Sequence, residues 1–284
     1  MILVGIFGIS LSAIFVKYST APSAVTAAFR LTWTVILMSP VVWGKREVRK
    51  ELLQMNRKAF GLSVVSGLFL ALHFVTWFES LNHTSLASST TIVCTEVIWV
   101  AFGYCLFMKG KLTGKALLAI GITLAGSLMI AYADSSAGGI HLYGDVLSLI
   151  AAIAVAIYTL IGRQVRSSAS TSVYTYVVYT SCAAVLLLTC LIQGYHLFGY
   201  GTSAVIVGLL LSVFSTILGH SIFSWCLKYF SPAFVSASKL CEPVVAAVFA
   251  AFLFGEIPAV IQVIGGLAII GGVFFYSRVE STQK

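Results

Sequence analysis

The chain of 284 residues is 59% hydrophobic and only 9% charged, with a mean hydropathy of +1.01. A soluble domain carries roughly a quarter charged residues, so this composition excludes a water-exposed globular fold and makes lipid the solvent. The net charge of +8 does not point to nucleic acid, because the basic residues fall in short alternate loops and not in one patch.

In chain order, ten apolar runs are expected to cross a bilayer: about 2–19, 23–43, 60–80, 84–107, 115–132, 144–163, 172–193, 203–228, 233–254 and 257–277. At roughly 1.5 Å per residue each is long enough for a hydrocarbon layer of about 30 Å. The first lacks a basic leader and a small-residue cleavage site, so it reads as a span and not as a signal peptide. The longest polar gap is about 44–59, which leaves no soluble domain.

With the amino terminus inside, the inner loops and the carboxyl tail hold 14 of the 17 basic residues, from Lys45 and Arg46 to Arg278 and Lys284. The opposite loops carry Asp134, Asp145 and Glu256. This positive-inside pattern predicts a multi-pass protein of the cell (inner) membrane with both termini cytoplasmic and basic loops near lipid headgroups. The six cysteines all fall in spans, without a C-x-x-C pair or a zinc-ligand neighbourhood. They read as small packing residues, and neither a metal nor another cofactor is expected.

The chain also resembles itself. WFESLNHTSLASSTTIVCTEVIWVAFGYCLFMKGKLT (77–113) leads into AIGITLAGSLMI, and SWCLKYFSPAFVSASKLCEPVVAAVFAAFLFGEIPA (224–259) leads into VIGGLAIIGGVFF. Aligning the two sets position 96 opposite Glu242 or Pro243, depending on where a one-residue gap is put. Gly121 and Gly126 match Gly266 and Gly271 in spacing, and AIFVKYS (13–19) resembles AIYTLIG (156–162). The predicted fold is therefore an all-α integral membrane protein of ten helices in two five-helix repeats, residues 1–137 and 138–284. Five is odd, so the second repeat is inverted, an arrangement associated with alternating access around a midplane site. The five-residue glycine spacing is not the G-x-x-x-G contact motif, which leaves monomer and homodimer both open.

The run W-x-L-K-x-x-S-x-x-x-V-S (225–236), then Pro243, Gly255-Glu256 and the glycines of the last span resemble the carboxyl-terminal half of the EamA family in the drug/metabolite transporter superfamily. FRL (29–31) and SGLFLALHFVTWFESL (66–81) resemble its amino-terminal half. The resemblance covers nearly the whole chain and implies a secondary carrier, often an exporter of amino acids or other small metabolites. Glu96 departs from the pattern, standing where the family often has an apolar residue or proline.

Four ionisable residues lie well inside spans: Arg30, Glu96, Lys239 and Glu242. Each costs on the order of 2.5–3.5 kcal/mol there and needs a partner or water. Glu96 and Glu242 sit near the centres of the fourth and ninth runs, one carboxylate from each repeat. Lys239 and Glu242 are three apart and are expected to share a helix face. They can neutralise each other, or they can join Glu96 in receiving a substrate that carries both an amine and an acid. A carboxyl in a low-dielectric cavity holds its proton more tightly, so Glu96 and Glu242 are candidates for proton coupling. Glu96 comes first, since its own helix offers no base.

Arg30 is a second-tier candidate, with a tie to a helix-end carbonyl or to Glu79 as its structural reading. His73 and Trp77, four apart, share a face, and Trp99 lies one turn from Glu96. With Tyr158 and His220 they could supply stacking and cation–π surface, although each alone reads as packing and Trp77 also as an interfacial anchor. Pro243 removes a backbone hydrogen bond and is a hinge candidate.

The functional expectation is a small-molecule carrier of amino acids or amine-bearing metabolites, with protons as a candidate coupling ion and no nucleic-acid partner. A cationic or zwitterionic nucleoside-type metabolite such as S-adenosylmethionine is the alternative substrate. An intramembrane enzyme is the alternative class, but the chain has no H-E-x-x-H, G-x-S-x-G or paired aspartates.

Overall fold

A computed structural model of the chain describes residues 1–84, 86–134, 142–242, 244–245, 248–249 and 259–281. In lipid a backbone N–H or C=O finds no water, so apolar runs satisfy these groups internally as helices. No strand occurs among the described residues.

Short α1 (Ile2–Ser10) and α2 (Ser12–Lys17) precede α3 (Ser23–Gly44), α4 (Arg46–Leu53) and α5 (Arg57–Ser80). Next come α6 (Leu86–Cys94), α7 (Glu96–Met108), α8 (Gly114–Asp134), α9 (Leu142–Val165) and α10 (Thr171–Ile192). The chain continues through α11 (Gly201–Leu210), a π-helical segment (Leu211–His220), α12 (Ser221–Cys226), α13 (Pro232–Lys239) and α14 (Val260–Ser281).

Among the described residues six helical stretches are long and apolar enough to span a membrane, and Ile2–Val16, Ile92–Met108 and Gly114–Met129 are shorter apolar helices. Large apolar side chains such as Phe102, Phe107, Leu118, Leu267 and Phe274 point outward, which fits lipid as the surrounding medium. Starts are set by local polar chemistry. Asn56 accepts the Lys58 N–H at 2.8 Å, Ser170 accepts that of Val173, and Ser231 caps α13 ahead of Pro232.

The polar gap after α3 forms the basic helix α4 instead of a plain loop, and Glu51 at its end accepts the Ser170 N–H at 2.6 Å. Several runs expected as continuous spans are interrupted. The first turns at Leu11, next to Ser10, whose hydroxyl donates back to the Ile6 carbonyl at 2.8 Å. The fourth breaks at Thr95, whose hydroxyl takes the Ile92 carbonyl at 2.6 Å while its N–H reaches the same oxygen at 3.0 Å. The eighth passes through the π segment, where Thr216 Oγ1 donates to Leu211 O, five residues back. The ninth breaks after Lys239, where the N–H groups of Leu240 and Cys241 bond three residues back to Ala237 and Ser238. Pro243, the hinge candidate, lies outside the described residues, as does Glu256.

Packing among the described residues divides into three apolar clusters. One joins α3, α5, α9 and α10; another joins α7, α8, α13 and α14; the third joins α1, α12 and α13. Exchanging the first five runs for the last five carries many helix contacts into one another. The contact of α5 with α9 corresponds to that of the π segment with α1, α5 on α10 to α11 on α3, and α7 on α9 to α13 on α1. The pairs α3–α10, α8–α14 and α7–α13 map onto themselves. Small residues make the closest approaches: a Cβ on Gly8 would lie 2.5 Å from the Phe214 carbonyl, and one on Gly126 2.6 Å from that of Gly265. Gly126 of α8 and Gly272 of α14 thus serve contacts within the chain, whereas a Cβ on Gly121 or Gly271 would meet nothing within 4 Å.

Candidate functional site

The interruptions converge on one cavity of about 60 Å³ between the clusters, enough for roughly four to six waters at about 10–15 Å³ each. Its walls come from both halves of the chain: Ile9 and Ser12 at the turn in the first run, Arg30 of α3, His73 and Trp77 of α5, and Glu96 of α7. From the second half come His220, which closes the π segment, Phe223 of α12, Lys239 of α13, and Glu242 just beyond its end.

Lys239 Nζ donates to Glu96 Oε1 at 2.9 Å, with both side chains mostly withdrawn from solvent. Of the two readings left open for Lys239 and Glu242, mutual neutralisation is not what the structure shows, and Glu96 has a partner where none was expected on its own helix. The i,i+3 register that would join Lys239 to Glu242 requires a continuous helix, and α13 ends at Lys239. Glu96 meanwhile begins α7, which packs against α13. The ammonium also lies 5.5 Å from the Phe223 ring centroid. Glu242 lines the cavity and makes neither an ion pair nor a side-chain hydrogen bond among the described residues.

Arg30 is only 1% exposed. Its Nε donates to Thr216 Oγ1 at 2.8 Å and its Nη1 to Ser12 Oγ at 3.2 Å, and its guanidinium carbon sits 4.2 Å from the Phe74 ring centroid. The anticipated tie to a helix-end carbonyl or to Glu79 is not what holds it. Glu79 instead pairs with His83 at 3.1 Å outside the cavity. Arg30 is held by hydroxyls from two interrupted spans and faces the void without a carboxylate partner among the described residues.

His73 Nδ1 lies 3.0 Å from the Ala151 carbonyl, which fixes it as the protonated ring nitrogen, and the ring stacks on Trp77 at 5.8 Å and 16°. Trp77 is 6% exposed and its Nε1 has no hydrogen-bond partner among the described residues, so it is a wall of the cavity and not an interfacial anchor. Tyr158 stands one layer back, bonded to Ser224 at 3.0 Å and 6.0 Å edge-on from His220. Trp99 is 37% exposed and lies off the cavity, since the buried face of α7 runs through Glu96, Val97, Val100 and Ala101. Sequence reasoning missed Ser12 and Thr216, the hydroxyls that hold Arg30. Each is an ordinary polar residue in an apolar run, and only the packing of separate spans brings them to the guanidinium. The tyrosines of 173–180 go to separate partners: Tyr174 to Ser66, Tyr176 to Ser39 and Trp43, Tyr179 to Ser221.

A bundle of apolar helices with outward apolar faces and a charged cavity enclosed among them defines a multi-pass membrane protein of transporter type. The chain belongs to the EamA-like transporter family, whose sequence model matches residues 1–132 and 142–278. It is similar to a protein of Clostridium kluyveri named as an uncharacterized transporter, 23% identical over 269 residues, covering 92% of this chain and 85% of that one. An Archaeoglobus fulgidus protein with the same name is 22% identical over 246 residues, 84% of this chain and 82% of its own. A crystal structure of 14% identity superposes with a TM-score of 0.80 over 100% of this chain and 97% of its own, a likeness of fold alone.

Proposed function

We propose that this transporter is a secondary carrier of small amine-bearing metabolites, amino acids foremost, working by alternating access in the cell membrane with both termini cytoplasmic. In this reading residues 1–137 and 138–284 are inverted five-helix halves that rock around the cavity. Three observations support it: the family match falls in two stretches, helix contacts exchange between the halves, and the fourth and ninth runs break just before Glu96 and Glu242.

The observation that carries the substrate class is the unpaired Glu242 carboxylate in a cavity that also presents Arg30. A carboxylate held away from bulk water gains most from a ligand ammonium, and a guanidinium from a ligand acid. Because Glu96 already has Lys239, Glu242 is the carboxyl free to exchange a proton between the two sides. The His73–Trp77 stack gives the nucleoside-type alternative its one specific support, while a cavity of about 60 Å³ favours a compact ligand. Export as the direction rests on the family resemblance.

The test is counterflow in liposomes containing the purified protein. Saturable exchange of labelled amino acids is the expected result, and no counterflow of any amine-bearing metabolite would sink the reading. Wild type should accelerate under an imposed pH gradient, and Glu242→Gln should lose that response along with at least about 30-fold in apparent affinity, the effect of removing one partner of a buried charge contact.

A further inference from the structure

The cavity holds four charges of which only two are matched. Lys239 and Glu96 neutralise each other across the contact of α13 with α7, while Arg30 and Glu242 line the same void without an ionic partner among the described residues. Lys239 stands one helix turn from Glu242 in sequence and yet gives its ammonium to Glu96. The corresponding place in the first half, three residues before Glu96, is Val93, which also lines the cavity. One half therefore brings a built-in amine and the other does not.

We propose that Lys239 is a tethered amine that sets the charge of the substrate. By filling Glu96 it leaves a single ammonium site, at Glu242, and a single acid site, at Arg30, so the cavity takes a ligand with one ammonium and no net charge. Without the lysine, Glu96 becomes a second ammonium site, because an ionised carboxylate withdrawn from water accepts whatever cation can reach it. Selection against a second amine is then the work of a side chain that occupies that amine's place.

This rests on the carrier reading, and the test separates the two. L-lysine and L-norleucine differ in the terminal amine on a chain of equal length. Binding of each to purified protein, read as the ligand-induced shift of the unfolding midpoint, is measured beside counterflow. Wild type should prefer norleucine. Lys239→Met should raise the lysine-to-norleucine affinity ratio by about tenfold or more, the order of effect for one buried charge contact. The double variant Lys239→Met/Glu96→Gln should return the ratio to that of wild type, since both charges are gone together.

Glu96→Gln alone, which keeps the lysine, should weaken both ligands as Lys239 turns to Glu242, and it decides the matter if Lys239→Met does not fold. An unchanged ratio in Lys239→Met, a double variant that keeps the altered ratio, or Glu96→Gln binding like wild type would each overturn the proposal. Wild type that binds norleucine without exchanging it would overturn the carrier reading instead, and the binding ratios would still decide the role of Lys239.

Discussion

The fourth and ninth apolar runs reach the cavity by the same route and arrive with different chemistry. Both break before a glutamate, one at Thr95 before Glu96 and the other at Leu240 and Cys241 before Glu242. The means differ: a threonine hydroxyl takes a helix carbonyl in the first, and the N–H groups of Leu240 and Cys241 tighten to bonds three residues back in the second. The outcome differs more. Glu96 is 5% exposed and bonded to Lys239, whereas Glu242 faces the void unpaired. Lys239 on one run and Val93 on the other leave the first carboxylate bonded and the second without an ionic partner among the described residues; in the proposed carrier this opens Glu242 to a ligand.

The largest effect expected from disturbing this difference is on stability. Lys239→Met strands Glu96 in the interior, at a cost of about 3–5 kcal/mol, and Lys239→Met/Glu96→Gln should recover most of it. Denaturation midpoints in one detergent measure both, and a double variant no more stable than the single would mean the bridge is not what Glu96 needs. Next comes an attempt to make the halves alike. Val93→Lys should supply Glu242 with its own cation and lower amine binding by at least about tenfold, since a like charge is then set against the ligand; direct binding of norleucine reads this, and unchanged affinity would show that position 93 does not reach Glu242.

A third effect, on stability and not on binding, concerns the packing of α1 on the π segment. Gly8→Ala puts a Cβ 2.5 Å from the Phe214 carbonyl, and overpacking of this kind costs about 1–3 kcal/mol. A lower midpoint with unaltered lysine-to-norleucine ratio is expected, which would separate packing of the π segment from charge selection.

Much of this could be read beforehand because lipid simplifies the rules. Apolar length marks the spans, and a charge inside one is costly enough to announce itself, so Arg30, Glu96, Lys239 and Glu242 stood out, and so did His73 and Trp77 on one face. The partners of those charges could not be read. Lys239 and Glu242 looked like neighbours because helical spacing was assumed through a stretch where the helix stops. Trp99 lies one turn from Glu96 within the continuous α7, but the buried face of that helix passes through Val97, Val100 and Ala101 and leaves the indole on the outward side. The hydroxyls of Ser12 and Thr216 carried no signal, since serine and threonine are common in spans and mostly bond their own backbone.

The amino-acid order by itself determined that this chain is a multi-pass membrane protein and which ionisable groups fall inside its apolar runs, because both follow from transfer free energies that local sequence sets. Tertiary structure alone decided which of two glutamates the lysine would hold. That choice depends on where α13 stops and how α7 lies against it, and an ion pair is fixed by distance across space, not by separation along the chain.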